Sequence, residues 1–597
     1  MNLFAMAKAA LAALVVLQVA GCGGGGGSPD PFPVGGSAPP PPPPVAETPA
    51  LQRATRFGPM LGSDDSASTG TYSWKGIPFA RPPVGALRWM PPVDPEPWTE
   101  ARSARDFAPA CVQSGRLYGP GRNNRYDATI GAALGTTVGS EDCLYLNVWA
   151  PAAAATSPRP VIVFVHGGSN ITGYTADPLY DGAALARTAD AVVVTVNYRL
   201  GIFGFFNAAA LKTGDPLVDS GNFAMLDLIQ ALKFVQSDIA AFGGNPANVT
   251  LMGQSAGAVN VLALQVSPVV RGTTPQLFHR LVELSGGIST PNTVAPGVIA
   301  TIYPVALWAQ QSDALLQRAL VGDGTVANLG AAPAYLAGRS KAQIADYLRG
   351  KAPDQLLDIV RTQLPALGLA NSNPLADGQV LPLDPIMEIR AGRYLKVPVL
   401  AGITRDETKL FPSLFTLMGI PSARIPTDAQ VFDLAFHYDP ETAPATTLQA
   451  WIPAQYLPVA TPGTGFNAWA DILNQFWFIA GRDDLLNSLR MQQSQVWHYR
   501  FDWDEMPAPF NDIFGAAHAF DLPFLFGNFG PSLYANFTNT QANKPGREAL
   551  SSAMMKSLGA FARSGDPNHA GLGVRWNPWP ARLVFDADAT AARITSQ

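Results

Sequence analysis

The chain has 597 residues, with 45 acidic and 40 basic side chains and a formal net charge of −5. Hydrophobic residues make up 47% and charged residues 14%, so the chain can bury a large core and is neither collagen-like nor disordered over its bulk. The charge balance argues against a nucleic-acid partner, and three cysteines are too few for a disulfide-dense scaffold. With no Cys/His cluster at zinc-ligand spacing, we expect no metal and no cofactor.

The first 21 residues predict an export signal. Lys8 precedes an apolar run over residues 9–20, which is too short to cross a bilayer core of roughly 30 Å. The run has the length of the apolar region of a secretory signal. It ends at Cys22 in the sequence VAGC, which resembles the bacterial lipobox, a signal whose cysteine becomes lipidated. The alternative is an ordinary signal peptide with an incidental cysteine.

Residues 22–50 predict a tether. The five glycines of residues 23–27 cannot pack, and the six prolines of residues 39–44 favour an extended polyproline rod. We therefore expect an exported protein, anchored by lipid on Cys22 to a bacterial membrane, with the outer membrane favoured. It would face the periplasm or the cell surface. The globular domain is predicted to cover residues 51–597.

Alternating apolar runs within this domain predict an α/β fold. Residues 161–165 and 191–196 are unbroken β-branched runs, typical of strands buried on both faces. Residues 223–240 carry apolar side chains at helical spacing, and residues 249–252 form a third strand. Strands alternating with helices predict a mostly parallel sheet with helices on both faces. Chemistry is then expected beyond the carboxyl ends of the strands.

A candidate nucleophile follows the third strand. The sequence GQSAG at residues 253–257 has the G-x-S-x-G pattern, which is weak alone because Gly and Ser are common. Here it lies between a buried strand and a predicted helix over residues 258–266, as a nucleophile elbow requires. Small neighbours permit a sharp turn that exposes the hydroxyl of Ser255, and the helix directs its N-terminus at developing negative charge.

A second turn predicts the donors that a tetrahedral oxyanion requires. The sequence HGGS at residues 166–169 follows the strand at 161–165, where an oxyanion loop is expected in such folds. The backbone N–H groups of Gly168, Ser169 and Ala256 are the predicted oxyanion hole. The alternative is an ordinary glycine turn after a strand.

With these motifs the chain resembles the type-B carboxylesterases, the α/β-hydrolases that include cholinesterases and bacterial para-nitrobenzyl esterases. The resemblance covers about residues 53–590. Its further motifs are KGIPFA at 75–80, SEDCLYLNVW at 140–149, NYRLG at 197–201, AFGGNP at 241–246, GITRDE at 402–407 and GAAH at 515–518. It implies a central, twisted, mostly parallel sheet with helices on both faces, and a serine esterase acting on small-molecule or polymeric carboxylic esters.

The resemblance also places the other two catalytic side chains. Glu407 is the acid, in a segment where Thr408 replaces the usual glycine, and Asp406 is the alternative acid. His518, in a loop of small residues, is the base. Ser255 would attack the ester carbonyl, His518 would take and return the proton, and Glu407 would orient and stabilise the imidazolium.

Structural features are carried over in the same way. A disulfide is implied between Cys111 and Cys143, the alternative being two free buried thiols. Two buried ion pairs are assigned to architecture; they are Arg88 with Glu141 and Arg199 with Asp227. Ser285 matches a family serine near the triad, and we expect it to make a supporting hydrogen bond.

Departures from the family pattern bear on the substrate. Ser169 stands where a third glycine is common, and Asn170 where an aromatic is common, which alters the expected acyl pocket. Gln254 replaces a glutamate of the cholinesterases, and Ala133 replaces the tryptophan that binds their quaternary ammonium by cation–π attraction. Neutral esters are therefore expected to be preferred over choline esters.

The same framework is compatible with two other functions. A catalytically inactive adhesion or binding module of this family would lack the serine or the histidine, and both are present here. A lipase or polyester hydrolase would share the mechanism and differ only in substrate. Residues 410–475, rich in Phe, Leu and Pro, are expected to form a lid or a wall of the acyl pocket. The sequence leaves the oligomeric state open.

Overall fold

A computed structural model describes residues 51–294, 300–411, 426–444, 446–532 and 535–597. The predicted signal over residues 1–21, the lipidation site Cys22 and the tether over residues 22–50 lie outside the described residues. Within the described residues, no helix combines the length and the apolar character needed to cross a bilayer.

A single large sheet organises the described chain, with eleven strands. In chain order they are β1 (Ser63–Asp65), β2 (Thr71–Pro78), β3 (Tyr145–Pro151), β4 (Arg159–Val165), β5 (Val192–Val196), β6 (Gly244–Gln254), β7 (Arg280–Leu284), β8 (Val399–Thr404), β9 (Val496–Phe501), β10 (Leu583–Ala587) and β11 (Ala592–Ser596). Their spatial order is β1-β2-β3-β5-β4-β6-β7-β8-β9-β10-β11. The seven strands β4 to β10 are mutually parallel, and antiparallel pairs attach β1 to β3 at one edge and β11 at the other.

Helices cover both faces of this sheet. The longer ones are α1 (Ala183–Ala189), α2 (Phe223–Asp238), α3 (Ala256–Val266), α4 (Val305–Gly322), α5 (Lys341–Arg349), α6 (Pro353–Thr362), α7 (Asp428–His437), α8 (Phe466–Asn474), α9 (Ala480–Arg490) and α10 (Lys544–Ser564). Shorter helices are Thr129–Ala133, Gly201–Gly204, Pro216–Asp219, Pro268–Arg271, Ala332–Ala337, Pro385–Arg390, Leu448–Trp451, Phe510–Ile513, Leu522–Phe526 and Ala535–Thr538. Small sheets join Gln52–Ala54, Pro59–Leu61 and Arg102–Ser103, then Gln113–Ser114 with Thr137–Val138, and Tyr303–Pro304 with Leu375–Ala376.

The alternating directions of the side chains along β4 show why this sheet needs a helical layer on each face. Val161, Val163 and Val165 pack in the same core as α2 and α3, whereas Ile162 and Phe164 pack in the core that includes α1 and α10. Successive side chains of a strand point to opposite faces, so an unbroken apolar run requires a layer on each side. The predicted mostly parallel sheet with helices on both faces is confirmed.

A disulfide and two ion pairs join segments that are well separated along the chain. Cys111 and Cys143 form a disulfide with a Cα–Cα distance of 4.9 Å, which confirms the pairing implied by the family resemblance. Arg88 donates from Nε to Glu141 Oε1 at 2.7 Å and from Nη1 to two carbonyl oxygens at the end of α5 and just beyond it. The second pair, Arg199 with Asp227, is bidentate and buried, with donor distances of 2.8 and 2.6 Å. Both pairs connect separate segments, which suits an architectural role.

Candidate active site

Ser255 occupies a strained turn between β6 and α3. Its φ of 56° and ψ of −124° lie where few residues other than glycine are found. The Ser255 N–H donates to the carbonyl of Leu284, at the end of β7, at 2.8 Å. A Cβ on Gly253 would lie 2.3 Å from the Gly257 oxygen, and one on Gly257 would lie 2.2 Å from the Val165 oxygen. Both glycines of the motif are therefore required by close packing.

Glu407 and His518 are in direct contact. The His518 Nδ1 atom lies 2.5 Å from Glu407 Oε2, and both side chains are buried, at 4% and 0% exposure respectively. The other carboxylate oxygen of Glu407 accepts from the Thr404 N–H at 2.8 Å, because the acid lies in the turn just beyond β8. An acid held at both oxygens fixes the orientation of the histidine ring.

Asp406, the alternative acid, serves a different purpose. Its carboxylate accepts from the Ala516 N–H at 3.0 Å and pairs with Arg405 at 2.8 Å and Lys409 at 3.2 Å. Burial raises the pKa of Asp406, but the two cations and the amide outweigh it and leave that pKa below its ordinary value. Asp406 thus anchors the loop that carries His518. Within the described residues, none of its hydrogen bonds goes to the His518 ring.

The second ring nitrogen of His518 faces Gln254. The Nε2 atoms of the two side chains lie 3.0 Å apart, and Gln254 is itself buried. A neutral imidazole whose Nδ1 donates to Glu407 can only accept at Nε2, so the Gln254 amide is the donor of this bond. No hydrogen bond links the Ser255 hydroxyl to His518 in the described part of the chain. The structure thus joins two of the three predicted catalytic side chains, Glu407 and His518. The third, Ser255, follows directly in sequence after Gln254, the residue that is bonded to Nε2.

The HGGS turn packs directly on the nucleophile. A Cβ on Gly167 would lie 2.8 Å from the Cβ of Ser255. Gly168 and Ser169 have φ values of 91° and 54°, and within the described residues their N–H groups donate to no other residue. Ala256 begins α3, and the first N–H of a helix has no acceptor within it. Three backbone donors are therefore free on two turns that touch.

Asn170 supports this turn from inside the protein. Its side-chain oxygen accepts from Asn260 at 2.8 Å and from the Tyr198 hydroxyl at 3.1 Å, and its carbonyl accepts from the Gly201 N–H at 2.6 Å. Tyr198 also stacks on His166, with ring centroids 4.7 Å apart. Burial lowers the pKa of His166 to about 4, so this histidine is neutral near pH 7. Its position is structural.

Two phenylalanine rings stand beside His518. Their centroids lie 5.0 Å (Phe411) and 5.5 Å (Phe478) from the imidazole centroid. Phe411 belongs to the predicted lid or wall, and Phe478 lies just beyond it, in a π-helical turn over Gln475–Ile479. Residues 412–425 and 445 of that predicted segment lie outside the described residues. The apolar content of residues 410–475 predicted a lid or a wall of the acyl pocket, and that remains a prediction. The place of Phe478 beside His518 was missed because it depends on the path of the turn.

The hydrogen bonds of Thr408 account for its presence where the family usually has glycine. Its N–H donates to Asn474 Oδ1 at 2.9 Å, and its hydroxyl donates to the Ala470 carbonyl at 3.0 Å. Both partners belong to α8, so Thr408 ties this helix to the turn that holds Glu407. A glycine could not make the second bond.

Further carboxyl groups lie buried behind the histidine. Burial raises the pKa of Glu283 to about 7 and that of Asp521 to about 6. Asp521 accepts from the Tyr499 hydroxyl at 2.7 Å, and Glu283 accepts from the Gly286 N–H at 3.1 Å. Neither carboxyl was predicted as a site residue, and no sequence pattern distinguishes Glu283 from an ordinary strand residue. Within the described residues no group of three or more His, Cys, Asp or Glu side chains could hold a metal ion.

The expectation for Ser285 is not met. Its hydroxyl is buried and has no hydrogen-bond partner in the described part of the chain. The residue has a φ of 53°, and its N–H donates to the Gly402 carbonyl at 2.8 Å. The backbone at Ser285, and not its side chain, links β7 to β8 beside the site. The prediction that its side chain makes a supporting hydrogen bond is wrong.

With this geometry established, comparison with known proteins identifies the family. The model of the carboxylesterase family matches residues 49–588. The chain belongs to this family. Carboxylesterases hydrolyse carboxylic ester bonds, and this is the reaction of the protein. The resemblance seen in the sequence motifs is confirmed.

Among curated relatives, the Bacillus subtilis para-nitrobenzyl esterase is 31% identical and the match covers 90% of this chain and 95% of the relative. The Sphingopyxis macrogoltabida fumonisin B1 esterase is 31% identical, with coverage of 87% and 83%. A solved Geobacillus stearothermophilus carboxylesterase superposes with a TM-score of 0.64 at 29% identity, covering 92% of this chain and 98% of its own. The fold is that of the α/β-hydrolases, as predicted.

Proposed function

We propose that this carboxylesterase is an exported, lipid-anchored serine esterase that hydrolyses neutral carboxylic esters through an acyl-enzyme on Ser255. The observation that carries the catalytic part is the buried Glu407–His518 pair next to a serine on a strained turn with free backbone donors. This arrangement combines a nucleophile, an oriented base and an oxyanion site, the three parts that acyl transfer requires.

The reaction would proceed in two halves. In the first, the Ser255 oxygen attacks the ester carbonyl carbon while His518 Nε2 takes the hydroxyl proton, which it then returns to the departing alcohol. In the second, water attacks the acyl carbon while His518 takes a proton from it. The bond from that carbon to the Ser255 oxygen then breaks, His518 returns the proton to the serine oxygen, and the carboxylic acid leaves. Glu407 stabilises the imidazolium in each half. The amides of Gly168, Ser169 and Ala256 would hold the tetrahedral oxyanion.

Neutral esters fit the surroundings of His518. The flanking rings of Phe411 and Phe478 are apolar, and the residue before the nucleophile, Gln254, carries no charge. Residues 112–142 contain no tryptophan that could bind a quaternary ammonium by cation–π attraction. We therefore propose neutral acyl esters, small or polymeric, as the substrate class.

A panel of esters tests the proposal. Nitrophenyl esters of two to sixteen acyl carbons, matched choline and ethyl esters, and a soluble polyester would be supplied to the full-length chain, with Ser255→Ala as the blank. Hydrolysis of neutral esters by the wild type alone is expected. Choline esters cleaved far faster than ethyl esters of the same acid would contradict the neutral preference, and a preference for long acyl chains or polyester would instead assign a lipase or a polyester hydrolase.

The anchor is proposed from the sequence of residues 1–22. In a bacterial host, Cys22→Ala should release the protein from the membrane fraction into the soluble fraction without lowering its specific activity. Continued membrane attachment of the variant would contradict the lipid anchor and leave the catalytic proposal unaffected.

A further inference from the structure

The Gln254 side chain occupies a buried space beside His518. Gln254 is the last residue of β6, buried at 3% exposure, and its amide nitrogen lies 3.0 Å from His518 Nε2. A Cβ on Gly167 would lie 2.7 Å from the Gln254 amide oxygen, so the absence of a side chain at Gly167 leaves room for the amide. The amide is thus enclosed between the oxyanion turn and the imidazole ring.

Two donors compete for one acceptor at this place. In the neutral ring, Nδ1 donates to Glu407, and Nε2 has a single lone pair. The same lone pair must accept the proton of the Ser255 hydroxyl when the nucleophile is activated. A glutamine amide can donate to it, whereas a glutamate at this position could only accept.

We propose that Gln254 is a positioning residue whose amide occupies Nε2 of the His518 ring, and that Ser255 obtains its base only when the amide withdraws. The proposal rests on the proposed function of His518. It predicts a resting enzyme in which the serine–histidine bond is absent, and a reacting enzyme in which Nε2 has exchanged Gln254 for Ser255.

The other charged or titratable groups near the ring remain the same in every Gln254 variant. They are Glu407, Glu283, Asp521 with Tyr499, and Asp406 with Arg405 and Lys409. The two rings on the remaining side, Phe411 and Phe478, are uncharged. A difference between variants in the pH profile therefore reports on position 254.

Two substitutions separate the amide's effects. Gln254→Met keeps the length of the side chain and removes the donor, so Nε2 becomes free for Ser255 and kcat is expected to rise about fivefold at the pH optimum, with KM unchanged. Gln254→Glu places a carboxylate beside Nε2 and favours the imidazolium. The acid limb of the kcat/KM profile is then expected to move upward by about one pH unit.

Gln236→Glu is the matched control. Gln236 lies on α2 and donates to the carbonyls of Pro246 and Leu277, away from the histidine. Its variant should retain the wild-type pH profile. Gln254 variants with the wild-type profile and the wild-type kcat would overturn the proposal, as would a fall in kcat of Gln254→Met.

A crystal structure of the full-length wild type tests the proposal without any variant. In the resting enzyme, the Gln254 amide should lie within hydrogen-bond distance of His518 Nε2, and a phosphonate adduct on Ser255 should show it withdrawn. A resting structure with the Ser255 hydroxyl on Nε2 would overturn the proposal. Activity remaining in Ser255→Ala would instead contradict the proposed function, so the two failures are distinguishable.

Discussion

The nucleophile half of the site, residues 166–170 and 253–257, is built from backbone, whereas the histidine half, residues 404–411 and 515–521, is built from side chains. In the first, close approach leaves no room for a methyl group on Gly167, Gly168 or Gly257. In the second, carboxylates and rings from distant segments meet in a buried cluster. Backbone donors are preorganised and need not move, while a group that transfers a proton must change its partners.

Loss of the nucleophile should have the largest effect of all. Ser255→Ala removes the nucleophile and should lower kcat on the order of a million-fold while the circular dichroism spectrum stays unchanged. Ser285→Ala is the matched control, because its buried hydroxyl has no partner in the described part of the chain; its kcat should stay within a few-fold. Similar losses in the two variants would contradict the assignment of Ser255.

The histidine half is tested by its two neighbouring acids. Glu407→Gln removes the charge that orients His518 and should lower kcat on the order of ten-thousand-fold. Asp406→Asn loses two ion pairs and should mainly lower the denaturation midpoint, with a much smaller change in kcat. If Asp406→Asn is the more damaging variant for kcat, the acid has been assigned to the wrong residue.

An alanine in place of a glycine of the nucleophile half should lower kcat more than the same change at a glycine with open space around it. Gly168 has a φ of 91°, and a Cβ there would lie 2.2 Å from the Thr172 oxygen. Gly168→Ala must therefore shift the turn and misplace its donors, with an expected loss in kcat of about a hundred- to a thousand-fold. Gly481→Ala, in α9, meets nothing within 4 Å, so it should leave kcat unchanged and raise stability by about 1 kcal/mol through its higher helix propensity. Equal kcat values would show that this backbone half is adaptable.

The smallest effect concerns the carboxyls behind the histidine. Burial raises the pKa of Glu283 to about 7, above the 4.5 of an exposed glutamate, so the folded protein binds a proton that the unfolded chain releases. Stability should therefore fall as the pH rises from about 4.5 to 7, by roughly 3 kcal/mol. Urea unfolding of Glu283→Gln should show a shallower fall, and the exposed control Glu96→Gln should follow the wild type. An unchanged slope in Glu283→Gln would show that this carboxyl does not titrate in that range.

The amino-acid sequence was sufficient for the parts of the site that depend on local chain geometry. The G-x-S-x-G spacing at Ser255 and the paired glycines after β4 describe turns that only small residues can make, so composition and context identified them. The buried β-branched runs of β4 and β5 likewise predicted a sheet covered on both faces. For Glu407, His518 and the Cys111–Cys143 disulfide, the sequence was informative only through resemblance to a family, because segments so far apart in the chain carry no local signal of contact.

Tertiary structure alone decided which of these side chains meet. Asp406 and Glu407 are adjacent in sequence, yet one binds the His518 loop and the other the His518 ring, because successive residues of the turn after β8 point in different directions. Other features depend on burial and on distances between separate segments. They are the bond from Gln254 to His518, the elevated pKa of Glu283, the hydrogen bonds from Thr408 to α8, and the lack of a partner for the Ser285 hydroxyl within the described residues. A pattern of residue types shows which face of a strand or helix can pack against a core. The hydrogen bonds and the desolvation of a particular side chain, however, are set by its neighbours in three dimensions.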